Sequence, residues 1–277
     1  MPYLMLYEQI QATVQFLREK IGDFEPEIGI VLGTGLGGVA DKIQATARIA
    51  YGEIPHFPTP TVAGHKGELV FGYLEGRRVV AMSGRFHYYE GYSMQEVTFP
   101  IRVLTALGIA HLIIGNAAGS TSPHIFAGDI VFIKDHINLQ PENPLRGAND
   151  ERLGVRFPDM LHTYRTDWNK TALAIAAKNG TRAHEGVYLA LQGPNLETPA
   201  EYVFMHRIGA DVVGMSSIPE VLVAKHGGLR VFMVSVVSNQ SYPPEIIRET
   251  TLEEVIATVE ATEPKVTAIL CELLTKI

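Results

Sequence analysis

The segment formed by residues 78–92 carries residue types that bind anions, placed directly after an apolar run. Residues 79–82 predict a buried strand, because the run is short, continuous, partly β-branched and bounded by glycine. Arg85 and His87 follow it: Arg85 offers a planar fork of donors suited to phosphate or carboxylate, and His87 a donor whose charge depends on pH. Since ligands of open α/β sheets bind beyond the carboxyl ends of the strands, the segment predicts an anion site. A surface salt bridge is the alternative for Arg85.

A glycine-rich loop follows another predicted strand, residues 28–32. Gly33, Gly35 and Gly38 have the spacing of the dinucleotide fingerprint, in which backbone amides hold a phosphate group. The acidic residue expected about 20 positions later has no strand in front of it here, since Glu53 precedes a proline-rich loop. The loop therefore predicts phosphate binding, with a plain tight turn and NAD binding as alternatives.

Polar residues follow the other predicted strands and fall on the same side of the sheet. They are Thr34, Asn116, Glu197, Ser216 and Asn239. Polar groups that converge from separate loops are how α/β enzymes build a site, whereas a structural protein is expected to scatter them. Singly, Glu197 could cap the following helix and Asn239 could be a turn residue. His65 could contact a ligand or form a hydrogen bond within its loop.

Several motifs of covalent catalysis are missing from the chain. Gly214-Met215-Ser216-Ser217-Ile218 lacks the second glycine of the hydrolase elbow, and no P-loop Gly-Lys-Ser/Thr occurs. The histidines show no metal-ligand spacing, so we predict no metal site. A chain that collects anion donors, amides and carboxylates without a nucleophile suggests that the anion is itself the attacking substrate.

The order of the predicted elements indicates an α/β protein. Helices and strands alternate through the second half of the chain, which predicts one domain over residues 1–277 with a mixed, largely parallel central sheet flanked by helices. Pro100 is expected to kink or restart one helix, and Pro264 to interrupt the C-terminal one. Capping boxes predict helix starts at Ser93, Thr198, Ser217 and Thr251.

One long segment, residues 140–165, lacks a regular pattern. Loops of this length in compact proteins are usually lids, binding loops or contacts to partners, so we expect a functional or intersubunit loop. Phe157, within it, could also be a simple loop anchor packed under its neighbours.

The composition limits the kinds of partner. A formal net charge of −7 argues against non-specific binding to nucleic acid or to an anionic membrane. The first residues lack the pattern of a secretory signal, and no apolar run approaches the length of a membrane span. The single cysteine, Cys271, excludes an internal disulfide and fits a reducing cytoplasm.

A series of motifs along nearly the whole chain resembles, in type and order, the trimeric purine nucleoside phosphorylases. The motifs are Gly33-Thr34-Gly35-Leu36-Gly37-Gly38, Gly64-His65, Gly84-Arg85-Phe86-His87, Tyr89-Glu90-Gly91-Tyr92, Asn116-Ala117-Ala118-Gly119, Gly193-Pro194, Glu197-Thr198, Gly214-Met215-Ser216 and Ser238-Asn239. The resemblance implies a pentosyltransferase of purine salvage that reversibly converts purine (deoxy)nucleosides and phosphate to free base and (deoxy)ribose 1-phosphate. It also implies no metal or organic cofactor, inorganic phosphate as co-substrate, and a homotrimer.

The resemblance further implies a role for each matching position. Catalysis would rest on Asn239, Glu197 and His87. Phosphate would be held by Thr34, His65, Arg85, His87, the Ala117 backbone and Ser216. Tyr89 and Met215 would line the ribose, Glu197 and Asn239 would recognise the base, and Phe157 would reach the site of an adjacent subunit.

Three positions depart from the family pattern. Thr34 stands where serine is frequent, Leu196 where phenylalanine is common, and Leu252 where mammalian-type members have a histidine that contacts the ribose 5′-hydroxyl. An apolar group there resembles the methylthioadenosine phosphorylases, but those enzymes have aspartate in place of Asn239. Asn239 therefore favours 6-oxopurines such as inosine and guanosine, with 5′-modified nucleosides as the alternative substrates. An NAD-linked oxidoreductase and a non-catalytic nucleoside-binding module remain as alternatives from other classes.

Overall fold

The sheet at the centre of the molecule contains both parallel and antiparallel strands. The structure, a computed structural model, describes residues 2–33, 36–59 and 67–277. The strands in this part of the chain are β1 (Ile28–Leu32), β2 (Gln44–Ala50), β3 (Glu68–Leu74), β4 (Arg77–Ser83), β5 (His111–Ser120), β6 (Ile130–Asn138), β7 (Ala183–Ala190), β8 (Val212–Gly214) and β9 (Arg230–Gln240).

The strand order is β2-β3-β4-β1-β5-β8-β7-β6-β9, and β9 also pairs with β5, so the last five strands close into a ring. The pairs β2–β3, β3–β4, β5–β8 and β6–β9 are antiparallel, and the remaining pairs are parallel. The predicted α/β class with a mixed, largely parallel sheet is therefore confirmed.

Two helical layers cover the sheet. The helices are α1 (Pro2–Ile21), α2 (Gly38–Lys42), α3 (Met94–Ala106), α4 (Thr166–Lys178), α5 (Pro199–Arg207), α6 (Ile218–His226) and α7 (Leu252–Leu274). One core cluster joins α1, α3 and α6 to one face, and a second joins α2, α4 and α7 to the other. A third, smaller cluster lies under α5. No helix of the described part is both long and apolar enough to cross a bilayer.

Both helices that contain an internal proline are continuous. α3 runs through Pro100 without a restart, so a kink there stays a prediction, and α7 runs through Pro264, so the predicted interruption is wrong. A proline inside a helix removes one backbone hydrogen bond and costs about 3 kcal/mol. Burial of one face of α7, which includes Val259, Val266 and Ile269, offsets that cost.

The capping boxes at Ser93, Thr198 and Thr251 form as predicted. β2 was not predicted, because its residues are mostly exposed and its apolar positions are mainly alanines, which give a weak strand signal. Strands β5, β6 and β9 extend beyond their predicted ends, which places Asn116, Ala117 and Asn239 on strands and not in loops. Residues 139–165 contain no helix or strand, as expected for the long loop.

Candidate functional site

Nearly all described side chains that the sequence singled out line one open cavity at the carboxyl ends of β4, β5 and β9. The predicted residues that line it are Arg85, His87, Tyr89, Asn116, Ala117, Glu197, Met215, Ser216 and Asn239. The cavity encloses about 820 Å³ including its mouth. Parallel pairing of β4, β1, β5 and β9 brings these segments together, because the ends of parallel strands meet at the same edge.

Arg85 is held by a buried carboxylate. Its side chain is 1% exposed and that of Glu220 is 3% exposed, and Nη2 of Arg85 lies 2.5 Å from Oε2 of Glu220. Nε of Arg85 donates to Oε1 of Glu220 at 3.3 Å, which makes the contact bidentate. Nη1 donates to the carbonyl of Gly115 at 3.0 Å and lies 3.4 Å from Oγ of Ser216. Arg85 is thus oriented at the cavity and paired with an opposite charge.

α6 begins after Ser217 as predicted, but the capping box predicted there, with Glu220 as its acidic member, does not form. Ser217, the residue before α6, has φ of 71° and its side chain caps no helix N–H. Its hydroxyl instead accepts from Nδ2 of Asn116 at 2.9 Å. The carboxylate of Glu220 instead accepts a hydrogen bond from Arg85, 135 positions earlier in the chain. No local sequence signal separates this glutamate from one in a capping box.

His87 is fixed by Glu90, three residues later. Nδ1 of His87 lies 2.7 Å from Oε1 of Glu90, and the backbone N–H of His87 donates to the same oxygen at 2.9 Å. Both side chains are largely buried. The ring stacks on Tyr89 with centroids 4.7 Å apart. Nδ1 is thus directed at the Glu90 carboxylate, which fixes the His87 ring at the cavity.

The segment after β8 supplies Met215 and Ser216. The hydroxyl of Tyr188, from β7, accepts a hydrogen bond from the backbone N–H of Ser216 at 3.4 Å. A Cβ at Gly214 would lie 2.2 Å from that hydroxyl, so glycine is needed for this close approach. Burial raises the pKa of Tyr188 to about 12, which keeps its hydroxyl protonated.

Asn239 lies farther along β5 than Arg85, because its side chain approaches Gly119, whereas Arg85 contacts the carbonyl of Gly115. Oγ of Ser238 donates to Oδ1 of Asn239 at 2.7 Å, and Nδ2 of Asn239 donates to Oγ of Ser241 at 2.8 Å. The amide therefore has a defined orientation. Glu197 lines the same cavity, and burial raises the pKa of its carboxyl, while a hydrogen bond from Tyr202 lowers it.

Sequence reasoning missed Tyr202 and Ser241, which complete this part of the site. Tyr202 lines the cavity and is 4% exposed, and Ser241 is also buried. Tyr202 looks in the sequence like any apolar position of a helix. Leu196, Leu252 and Val255 form an apolar wall of the cavity.

Of the remaining predicted positions, one is described by the structure and two are not. Phe157 is 86% exposed on the long loop and does not line the cavity. Thr34 and His65 lie outside the described residues, as does Gly35 of the glycine-rich loop. Within residues 2–33, 36–59 and 67–277, no group of three or more histidine, cysteine or acidic side chains could hold a metal ion.

Comparison with known proteins agrees with this geometry. The family model described as "Phosphorylase superfamily" matches residues 27–275. The chain is 49% identical over 251 residues to purine nucleoside phosphorylase 1 of Geobacillus stearothermophilus, covering 91% of each chain.

Two solved structures from Schistosoma mansoni have the same fold. Isoform 2 of its purine nucleoside phosphorylase, in complex with cytosine and ribose-1-phosphate, has a TM-score of 0.92 and 40% identity, and covers 98% of this chain and 97% of that one. The purine nucleoside phosphorylase in complex with inosine has a TM-score of 0.91 and 40% identity, covering 98% and 96%. The chain therefore belongs to the phosphorylase superfamily and, within it, to the purine nucleoside phosphorylases.

Proposed function

We propose that this protein catalyses the reversible phosphorolysis of purine (deoxy)nucleosides, with a preference for the 6-oxopurines of inosine and guanosine. The observation that carries the proposal is the separation of polar groups along β5: Arg85 contacts the carbonyl of Gly115 and lies beside Ser216, whereas the side chain of Asn239 approaches Gly119. That arrangement separates a site for an anion from a site for a heterocyclic base. Relatives named for this activity, and structures holding inosine or ribose-1-phosphate, support it.

Phosphate is the nucleophile in the proposed reaction, and this chain's side chains hold it. Arg85 and Ser216 donate to phosphate oxygens, with the backbone N–H of Ala117 and the His87 side chain as further donors. Thr34 and His65 join them, as the resemblance implies. Several donors on separate elements fix the phosphate under the anomeric carbon and replace a bimolecular encounter by an oriented attack. No metal or organic cofactor takes part.

The charges that develop on the ribose and on the purine account for the roles of the remaining residues. Cleavage of the glycosidic bond builds positive charge on the ribose and negative charge on the departing purine. Tyr89 and Met215 line the ribose, and Asn239 donates toward N7 or the 6-oxo oxygen of the base. The ionised Glu197 accepts from ring N–H groups. A 6-amino group is a donor, so it is a poorer partner for a donating amide, which favours hypoxanthine and guanine over adenine.

The apolar wall supports a second candidate within the same reaction class. Leu196, Leu252 and Val255 contribute no polar atom that a ribose 5′-hydroxyl could use. A nucleoside with an apolar 5′ substituent, such as a 5′-methylthio group, would bury that substituent against the wall. Comparison of inosine with its 5′-methylthio analogue measures this selectivity.

Four further properties belong to the same proposal. The chain is a single phosphorylase domain over residues 1–277. It acts in the cytoplasm, in purine salvage. It assembles as a homotrimer, in which Phe157 of one subunit reaches the site of its neighbour. The 86% exposure of Phe157 leaves its ring available for such a contact.

The proposed function is tested by following hypoxanthine release from inosine with and without phosphate. We expect release that requires phosphate and yields ribose 1-phosphate in equal amount. Adenosine and guanosine, measured alongside, test the preference for 6-oxopurines. Tight nucleoside binding without turnover would indicate a binding module instead, and a bound nicotinamide cofactor would indicate an oxidoreductase.

Asn239→Ala tests the base end of the site. The substitution removes the donor to the purine, and losing such a donor typically costs on the order of 2.7 to 4 kcal/mol of transition-state stabilisation, about 100- to 1,000-fold in kcat. Circular dichroism and the urea midpoint check that the fold is retained. Near-normal turnover of inosine would reject the role of Asn239.

A further inference from the structure

Ser217 precedes α6 in a backbone conformation that serine rarely adopts. Its φ is 71° and its ψ is −44°, in a region that favours glycine. Serine is common before a helix because its oxygen caps a backbone N–H, but the Ser217 side chain caps none. The residue is also buried, at 1% exposure. Backbone strain of this kind is concentrated at functional sites, where neighbouring contacts hold it in place.

The Ser217 hydroxyl belongs to a series of hydrogen bonds that ends at Arg85. Nδ2 of Asn116, on β5, donates to Oγ of Ser217 at 2.9 Å. Oγ of Ser217 lies 3.3 Å from Oγ of Ser216, which lies 3.4 Å from Nη1 of Arg85. The two contacts of Ser216 are long, and contacts of this length at active sites often tighten when a ligand binds. Ser216 and Asn116 line the cavity and Ser217 does not, so Ser217 acts on a ligand only through its neighbours.

The types of donor in this series fix its direction. An amide N–H only donates, so Ser217 accepts from Asn116 and keeps its own proton for another partner. Within the part of the chain that the structure describes, the other side-chain contact of that hydroxyl is Oγ of Ser216. A guanidinium also only donates, so Ser216 accepts from both Arg85 and Ser217. Both lone pairs of the Ser216 oxygen are then used, and its proton is left for a ligand in the cavity.

We propose that Ser217 is a positioning residue for phosphate, which turns the Ser216 hydroxyl so that it donates into the cavity. The inference rests on the proposed function and adds to the phosphate site a residue that does not touch the substrate. A hydroxyl can present either its proton or its lone pairs, and only the proton attracts an anion. A donor that already points at the anion needs no reorientation when phosphate binds or reacts.

The strained backbone is explained by the same role. In an extended segment, the side chains of consecutive residues point to opposite sides. β8 ends at Gly214, and the positive φ of Ser217 lies where the chain turns into α6, with the two serine oxygens on the same side and 3.3 Å apart. Glycine would adopt this φ without strain but would supply no hydroxyl. The hydroxyl, and not the backbone conformation, therefore accounts for a serine at position 217.

Ser217→Ala and Ser217→Gly test the proposal together, because both remove the hydroxyl and only glycine relieves the backbone strain. We expect each variant to raise the Kd for inorganic phosphate, measured by calorimetry without nucleoside, about fivefold, as for the loss of one neutral hydrogen bond. KM for phosphate should rise similarly, while KM for inosine at saturating phosphate stays near the wild-type value. The glycine variant should have the higher urea midpoint of the two.

Ser122→Ala is the matched control and should change none of these phosphate constants. Ser122 is 8% exposed, its oxygen accepts a backbone N–H from His124, and it lines no part of the cavity. Wild-type phosphate affinity in both Ser217 variants would overturn the inference. Recovery of affinity in Ser217→Gly but not in Ser217→Ala would assign the effect to the backbone and would also overturn it.

A double-mutant cycle with Ser216→Ala tests whether Ser217 acts through Ser216. Without the Ser216 hydroxyl there is nothing to orient, so adding Ser217→Ala should weaken phosphate binding no further. Additive losses would contradict the inference. If Ser216→Ala binds phosphate too weakly for calorimetry, kcat/KM for phosphate completes the cycle.

Phosphate binding without nucleoside separates this result from a failure of the proposed function. Absence of phosphorolysis by the wild type contradicts the proposed function, whereas weaker phosphate binding by Ser217→Ala still supports the inference. A wild-type protein that does not bind phosphate would overturn both.

Discussion

At the scale of single residues, the site depends on a buried ion pair. Arg85 and Glu220 are both almost fully buried and meet in a bidentate contact. Breaking a buried pair by removing one partner typically costs about 3 to 5 kcal/mol, because the remaining charge is left without compensation. Glu220 therefore stabilises the fold and also fixes the geometry of Arg85 at the cavity.

Glu220→Gln should destabilise the protein by about 3 kcal/mol in urea denaturation. If Arg85 binds phosphate, added phosphate should raise the Tm of the variant more than that of the wild type, because the anion compensates the Arg85 charge that Glu220 no longer neutralises. Glu260→Gln, at an exposed position of α7, is the control and should change neither quantity.

An equal Tm increase from phosphate in both proteins would count against phosphate binding by Arg85. If Glu220→Gln fails to fold, the double substitution Arg85→Met and Glu220→Met provides a second test. Two apolar side chains of similar volume can replace a buried pair without loss of stability. That variant should fold and should show no Tm increase with phosphate.

The pH dependence of activity should report Glu197. Burial raises the pKa of this carboxyl above its ordinary value, so the acceptor form is lost at a higher pH than for an exposed glutamate. We expect kcat/KM for inosine to fall on the acid side as Glu197 is protonated. Glu197→Gln, measured with the same phosphate buffer, should be less active and should lack this limb. A limb that persists unchanged in the glutamine variant would assign it to another group.

Residue types at strand ends were predictable, and their partners were not. Arg85, Asn116 and Asn239 follow or end apolar runs, and that local pattern placed them at the cavity before the structure was known. The Arg85–Glu220 pair joins positions 135 residues apart, so no local pattern reveals it. Tyr202 could not be recognised as a site residue for a different reason. Its ring packs in the core, so its position fits the apolar pattern of a helix and its hydroxyl gives no separate signal.

At the scale of elements, the continuity of α7 through Pro264 depends on packing. Pro264 lies on the exposed side of the helix, while Pro100 of α3 is buried. The two prolines therefore break the same kind of hydrogen bond in different surroundings.

Pro264→Ala should raise the free energy of unfolding by up to about 3 kcal/mol, because it restores a backbone donor without loss of packing. Pro100→Ala should gain less, since it also removes buried apolar contacts. Urea midpoints measured under one set of conditions compare the two. A Pro264→Ala variant no more stable than the wild type would mean that the helix has already adapted to the proline.

Element boundaries show where sequence patterns stop being informative. The apolar runs placed β1 and β4 correctly, because these strands are mostly buried. β2 gives only a weak signal, since its residues are mostly exposed and its pairing with β3 defines it. The capping pattern at Ser217 was misleading, because the distant Arg85 competes for the same carboxylate.

At the scale of the whole molecule, the proposed trimer makes a prediction about Phe157. If Phe157 completes the site of an adjacent subunit, Phe157→Ala and Asn239→Ala homotrimers should each be weakly active. Co-expression should restore activity above both parents, because mixed trimers contain sites with an intact Asn239 and a neighbour's intact Phe157. Activity of the purified mixed trimers, separated by different affinity tags, measures this.

No recovery in mixed trimers would place Phe157 outside the neighbouring site. A monomeric protein in analytical ultracentrifugation would contradict the assembly itself. The length and irregular pattern of residues 140–165 predicted a functional or intersubunit loop, but no pattern in the sequence identifies which surface would receive Phe157.

The ion pair between Arg85 and Glu220 also bears on how the reaction is driven. Glu220 balances the positive charge of Arg85, so the pair as a whole carries no net charge. Phosphate that binds beside Arg85 therefore meets hydrogen-bond donors but no net positive charge from this pair. Most of the phosphate's negative charge therefore remains uncancelled by Arg85, directly beneath the sugar. In the proposed reaction, the oxocarbenium ion that develops there is attracted to its own nucleophile, and the phosphate serves as electrostatic catalyst as well as reactant.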